Sequence, residues 1–238
     1  MNHNRNDLIK GLYAITPDEQ DTVELLRKTR LALSGGARVL QYRNKVADVA
    51  LRLEQAALRL EQAWTLRELT HEFCVPLIIN DDVMLAQRVA ADGVHLGGED
   101  GSVAAARAVL GSSKLIGVSC YNRVALAHEA VLQGADYVAF GSFFASTVKP
   151  DAVVASPDLL RQAHREIAIP LVAIGGITVH NGAQLLEAGA DALAVISAVF
   201  SAADIQGAAR QFSNLNYPEI SSIDRKTQHD FAKSTAFR

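Results

Sequence analysis

A chain of 238 residues, 49% hydrophobic and 21% charged, has room for one large domain or two small ones and is excluded from the disordered and collagen-like classes. Two cysteines exclude a disulfide scaffold, and a net charge of −3 without any basic run excludes a nucleic-acid footprint. Residues 1–10 lack the apolar stretch of a secretory signal and no run of 18 apolar residues occurs, so no membrane span is expected and the cytoplasm is the expected compartment.

In chain order, residues 1–11 read as a polar N-terminal segment. Eight short apolar runs follow, at 12–16, 39–42, 76–80, 93–96, 115–119, 137–140, 171–174 and 192–196. They are rich in Val, Ile and Leu and mostly lack polar alternation, as strands buried on both faces of a parallel sheet do. Helical patterns separate them. The longest, about 47–73, repeats the segment LRLEQA at 51–56 and 58–63; two copies fall short of a coiled coil, so an ordinary amphipathic helix is expected. Gly36-Ala37, Gly134-Ala135, Gly189-Ala190 and, as a variant, Asp92-Gly93 each stand between a helix and a strand, with glycine as the helix C-cap. Cys74 and Cys120 both fall in apolar strand-like runs and read as buried small hydrophobes. Only eight of the last 26 residues are apolar, so 213–238 is expected to be a flexible or loosely docked tail.

Eight strands alternating with helices predict an α/β chain with a single (β/α)8 TIM barrel at 12–212. An open doubly wound sheet is the second choice, and the glycine-rich dinucleotide motif it usually carries is missing from the sequence. In a barrel, chemistry gathers at the carboxyl ends of the strands. Those ends carry Gln41-Tyr42-Arg43-Asn44-Lys45, Asn80-Asp81-Asp82, Gly97-Gly98-Glu99-Asp100, Ser119, the loop Gly141 to Lys149, Gly175-Gly176-Ile177, and Ile196-Ser197. Arg43, Lys45 and Lys149 supply cations, while Asp81 and Asp100 supply carboxylates from adjacent strands. A hard divalent cation shared with substrate phosphate would reconcile that mixture. Each acid also has a plainer reading: Asp81 or Asp82 could cap the helix after strand 3, and Asp100 the helix beginning near Ser102. Gly175-Gly176 before a helix near Thr178, with Ser197 after strand 8, suits a second phosphate; a tight turn alone is the alternative. Among the seven histidines His95 alone lies near a strand end, and it reads as structural.

These segments, with Leu12 to Thr16 at the start, resemble in order those of the thiamine-phosphate synthase family over about residues 12–200. The resemblance implies transfer of a 4-amino-2-methyl-5-pyrimidinylmethyl group from its diphosphate to a thiazole monophosphate, giving thiamine phosphate and diphosphate. It implies that Gln41, Arg43, Lys45, Asn80, Ser119 and Lys149 hold the pyrimidine diphosphate, with Arg43, Lys45, Ser119 and Lys149 catalytic. It implies Mg²⁺ on Asp81 and Asp100, and thiazole phosphate at Ser146, Val148, Gly176, Ile196 and Ser197. Members commonly form homo-oligomers, and the expected partners are small molecules rather than nucleic acid or membrane. Val148 departs from the pattern, which has a hydroxyl residue, normally threonine, at its position. A non-synthase paralogue, thiazole-tautomerase-like or binding thiamine phosphate, is the alternative. An aldolase or epimerase would need a Schiff-base lysine in a strand or a paired acid and base, and the strands contain neither.

Overall fold

The computed structural model describes residues 8–45, 52–98, 100–145 and 153–217. Eight parallel strands close into a barrel in sequence order, with β8 pairing back onto β1. The strands are β1 (Gly11–Ile15), β2 (Val39–Tyr42), β3 (Leu77–Asn80), β4 (Gly93–Leu96), β5 (Leu115–Tyr121), β6 (Tyr137–Phe140), β7 (Leu171–Ile174) and β8 (Ala192–Val195). Each run expected from the sequence is a strand. The helices are α1 (Thr22–Ser34), α2 (Arg52–Glu72), α3 (Val83–Arg88), α4 (Val103–Leu110), α5 (Val124–Leu132), α6 (Pro157–Glu166), α7 (Val179–Glu187), and two after β8, α8 (Ser197–Phe200) and α9 (Ile205–Ser213). The expected start of α2 near residue 47 lies outside the described residues, as do 218–238 of the expected tail.

Alternation along each strand sorts the apolar residues into two layers. Leu12, Leu40, Ile79, Val94, Ile116, Val138 and Leu193 face outward and join the helices in one continuous core. Tyr13, Val39, Ile78, Leu115, Tyr137, Val172 and Ala194 fill the barrel, and Ile9 closes its floor from just ahead of β1. Further along the same inward rows stand Gln41 and Asn80, two residues on, and Ser119, four residues on. The period that fills the barrel therefore also delivers these polar groups to its carboxyl end.

The helix-to-strand turns correct one expectation by a residue. Gly36, Gly134 and Gly189 lie one position beyond the caps Gly35, Gln133 and Ala188, in left-handed backbone with φ of 102°, 89° and 107°. At the variant turn the left-handed residue is Ala90 (φ 53°), not Gly93, which already belongs to β4. Cys120 is buried as expected, and burial pushes its thiol up to about 12. Cys74 is exposed: it is the left-handed residue (φ 54°) at the turn ending α2, which holds its side chain away from the core.

Candidate active site

At the carboxyl end, a cavity of about 470 Å³ opens between the β2, β3 and β4 ends, lined by Asn44, Lys45, Arg59, Asn80, Asp81, Asp82 and Asp100 among others. Its size suits a small organic ligand. Lys45 Nζ lies 2.8 Å from Asp81 Oδ2. The Asp81 carboxylate is close enough to Asp100 to raise its carboxyl pKa, burial being the larger cause and Asp81 the second, while the Gly97 amide and Lys45 oppose the rise. Asp81 has left-handed backbone (φ 64°), a conformation that costs a residue with a Cβ and is kept where surrounding structure enforces it. Here its amide is held by the His95 carbonyl at 2.8 Å.

Helix capping falls to Asp82, one of the two acids expected for α3, and to Ser102 rather than Asp100 at α4. Asp82 Oδ1 accepts from the Leu85 amide at 2.8 Å and caps α3, and Ser102 Oγ accepts from the Ala105 amide and caps α4. Asp100 instead accepts from the Gly97 amide at 2.9 Å. Asp81 and Asp100 are thereby left facing one another, a pair of like charges that suits a hard cation. Among the described residues no cluster of three or more His, Cys, Asp or Glu is arranged to hold a metal. Two carboxylates completed by phosphate and water oxygens is the pattern Mg²⁺ favours, so the donor set fits that ion.

Arg43 follows β2 with its side chain largely buried, and its Nη1 lies 3.0 and 2.9 Å from the two oxygens of Asp18. Asp18 Oδ1 also accepts from the Lys45 amide at 2.7 Å. Thr16 Oγ1 both accepts from the Arg43 amide and donates to its carbonyl. The loop after β1 thus braces the cationic loop after β2, a role that sequence reading missed. It also missed the inner face of α2. Arg59 pairs with Asp82 at 3.1 Å and lines the cavity. The wholly buried Gln62 receives Tyr42 Oη and Asn44 Nδ2 on Oε1 and donates to the Glu19 carbonyl. Both belong to the second LRLEQA copy, so the repeat carries site residues on an ordinary helix. The signal was there as two polar residues, Arg59 and Gln62, one turn apart.

Gln41 and Ser119 are brought into one buried hydrogen-bond chain. Gln41 Nε2 donates to Tyr13 Oη (2.9 Å), Tyr13 Oη meets Tyr137 Oη (2.8 Å), Tyr137 Oη meets His95 Nδ1 (3.1 Å), and His95 Nε2 meets Ser119 Oγ (2.9 Å). On the opposite side, the paired strands β7 and β8 bring Gly176 beside Ile196 and the exposed Ser197, which opens α8. Gly176 has φ 61°, and a Cβ there would run into the Ala145 carbonyl of the β6 loop. One at Gly175 would strike Ser142. The glycines therefore admit the β6 loop as well as turning the chain. Ser146, Val148 and Lys149 lie outside the described residues.

A sequence profile described as "Thiamine monophosphate synthase" matches residues 12–199. The chain belongs to the thiamine monophosphate synthase family. It is 55% identical over 207 residues to the thiamine-phosphate synthase of Methylobacillus flagellatus, covering 87% of this chain and 95% of that one. It is 54% identical over 207 residues to that of Nitrosospira multiformis, covering 87% and 86%. Among solved structures it resembles thiamine phosphate pyrophosphorylase from Pyrococcus furiosus, at 38% identity and a TM-score of 0.74, covering 87% and 95% of the two chains. As a member of this synthase family the protein is an enzyme, a transferase. Among the described residues no helix is long and apolar enough to cross a membrane.

Proposed function

We propose that this synthase joins 4-amino-2-methyl-5-pyrimidinylmethyl diphosphate to a thiazole monophosphate, giving thiamine phosphate and diphosphate by a dissociative displacement. The observation that carries this reading is the Asp81–Asp100 carboxylate pair beside Lys45 in one cavity, with a glycine-lined β7–β8 end across the barrel mouth. One side suits a diphosphate with a hard cation, the other a monophosphate.

In the proposed step the methylene C–O bond breaks and its electron pair leaves with diphosphate. The electron-rich aminopyrimidine stabilises the carbocation, and the thiazole nitrogen lone pair forms the new C–N bond. No proton need move, so the step does not call on the His95–Ser119 hydrogen bond as a nucleophile–base pair. Arg43, Lys45 and Lys149 oppose the negative charge gathering on the leaving group, the kind of fixed charge that contributes most to such steps. Gln41, Asn80 and Ser119 hold and orient the pyrimidine diphosphate, and Ser146, Val148, Gly176, Ile196 and Ser197 receive the thiazole phosphate. Asp81 and Asp100 would hold Mg²⁺, which when bound supplies Lewis-acid stabilisation of the diphosphate. EDTA should abolish turnover and added Mg²⁺ restore it. Full turnover in metal-free buffer removes the two aspartates from the ligand role.

A further inference from the structure

Five side chains from five strands form the buried chain Gln41–Tyr13–Tyr137–His95–Ser119, and its hydrogens can be counted. Burial holds both phenols far above their ordinary pKa, so Tyr13 and Tyr137 keep their protons and each has one hydrogen to give. Tyr13 Oη already accepts from Gln41 Nε2, and among the described residues the other partner of this fully buried hydroxyl is Tyr137 Oη. Tyr13 must therefore donate to Tyr137, since a buried hydroxyl hydrogen without an acceptor is costly. Tyr137 then donates to His95 Nδ1. A neutral imidazole that accepts at Nδ1 carries its hydrogen on Nε2, so His95 donates to Ser119 Oγ. The opposite sense would need the Gln41 amide turned over so that Oε1 faced Tyr13, and every later hydrogen reversed.

We propose that this one-way chain makes Tyr13, Tyr137 and His95 positioning residues: it fixes His95 as the Nε2–H tautomer, turns the Ser119 hydroxyl hydrogen outward as a donor, and leaves Gln41 Oε1 as an acceptor. That pairing complements an aminopyrimidine diphosphate, which offers amino hydrogens and bears acceptor ring nitrogens and phosphate oxygens. The assignment to substrate rests on the proposed function; the direction of the chain does not. Gly117 belongs to the same device, because a Cβ there would collide with the Tyr137 ring.

The test is ¹⁵N NMR of the histidine rings in the folded, substrate-free protein at one fixed neutral pH, with His95→Gln used to identify the signal. The expected result is protonated Nε2 and bare, hydrogen-bonded Nδ1 on His95. Tyr13→Phe should preserve that tautomer, because Tyr137 still donates to Nδ1. Tyr137→Phe should lose it and raise KM for the pyrimidine diphosphate about fivefold to tenfold, with KM for the thiazole phosphate unchanged. A wild-type ring protonated at Nδ1, or at both nitrogens, overturns the chain's direction. So does a Tyr137→Phe protein with wild-type ring signals. If Tyr137→Phe does not fold, the wild-type and Tyr13→Phe spectra still decide. Failure of the wild-type protein to make thiamine phosphate would overturn the proposed function, while the ring spectra, taken without substrate, would still judge the wire.

Discussion

Asp81 concentrates the tension of the site in one residue. It holds left-handed backbone at the end of β3, bonds Lys45, and adds to the larger effect of burial in pushing the neighbouring Asp100 carboxyl upward. Asn tolerates left-handed backbone as Asp does, and it removes one of two like charges. The half-exposed Lys45 pair it sacrifices contributes little. Asp81→Asn should therefore leave the metal-free thermal midpoint unchanged or higher while turnover falls on the order of 10²-fold or more. Wild-type turnover in that variant would remove Asp81 from the site. Asn80, Asp81 and Ser119 were legible in the sequence because polar residues ending an apolar strand have no packing reason to be there. Asp18 was not. It stands with Glu19 and Asp21 in an acidic stretch after β1 that does not single it out, and only the folded loop reveals that it holds Arg43. Nor was the Tyr13–Tyr137–His95 chain, since strands buried on both faces do not show which row points into the barrel.

At the scale of elements, a recurring turn links helix to strand. A left-handed residue, then Ala, then Asp or Arg occurs at Gly36-Ala37-Arg38, Ala90-Ala91-Asp92, Gly134-Ala135-Asp136 and Gly189-Ala190-Asp191. In each, the Ala amide reaches back five residues to the helix, as Ala37 does to the Ala32 carbonyl at 3.1 Å. The third residue then donates its amide to the preceding strand, as Asp191 does to the Leu171 carbonyl. The aspartates add a second bond: Asp92, Asp136 and Asp191 accept from the amides of Leu77, Ile116 and Leu171. The glycine was legible as a C-cap signal, but the aspartate's role was not, because it depends on a strand some 20 residues away. Asp191 is fully buried, so Asp191→Ala leaves the Leu171 amide without its acceptor. The expected cost is about 1–3 kcal/mol in denaturant unfolding. An unchanged midpoint would mean that the clamp adds nothing. Because it sits at the amino end, away from the cavity, the substitution should alter stability before turnover.

Across the whole molecule, a net charge of −3 conceals a separation. The amino end of the barrel is closed by Ile9 and stitched by the aspartate turns. The carboxyl end gathers the ion pairs Lys45–Asp81 and Arg59–Asp82, with Asp100, around one cavity, and the pair Arg43–Asp18 joins the loops after β2 and β1. Strand order and closure were readable because eight apolar runs alternate with helical patterns, and four of the helix-to-strand junctions carry the same turn. The pairing of charges was not, since it joins loops far apart in sequence. The measurement that bears most directly on this account is product analysis after incubating the purified protein with the pyrimidine diphosphate, the thiazole monophosphate and Mg²⁺. Thiamine phosphate and diphosphate should appear in equal amounts, and omission of either substrate should abolish thiamine phosphate. Tight binding of thiamine phosphate with no product formed from the two substrates would contradict it.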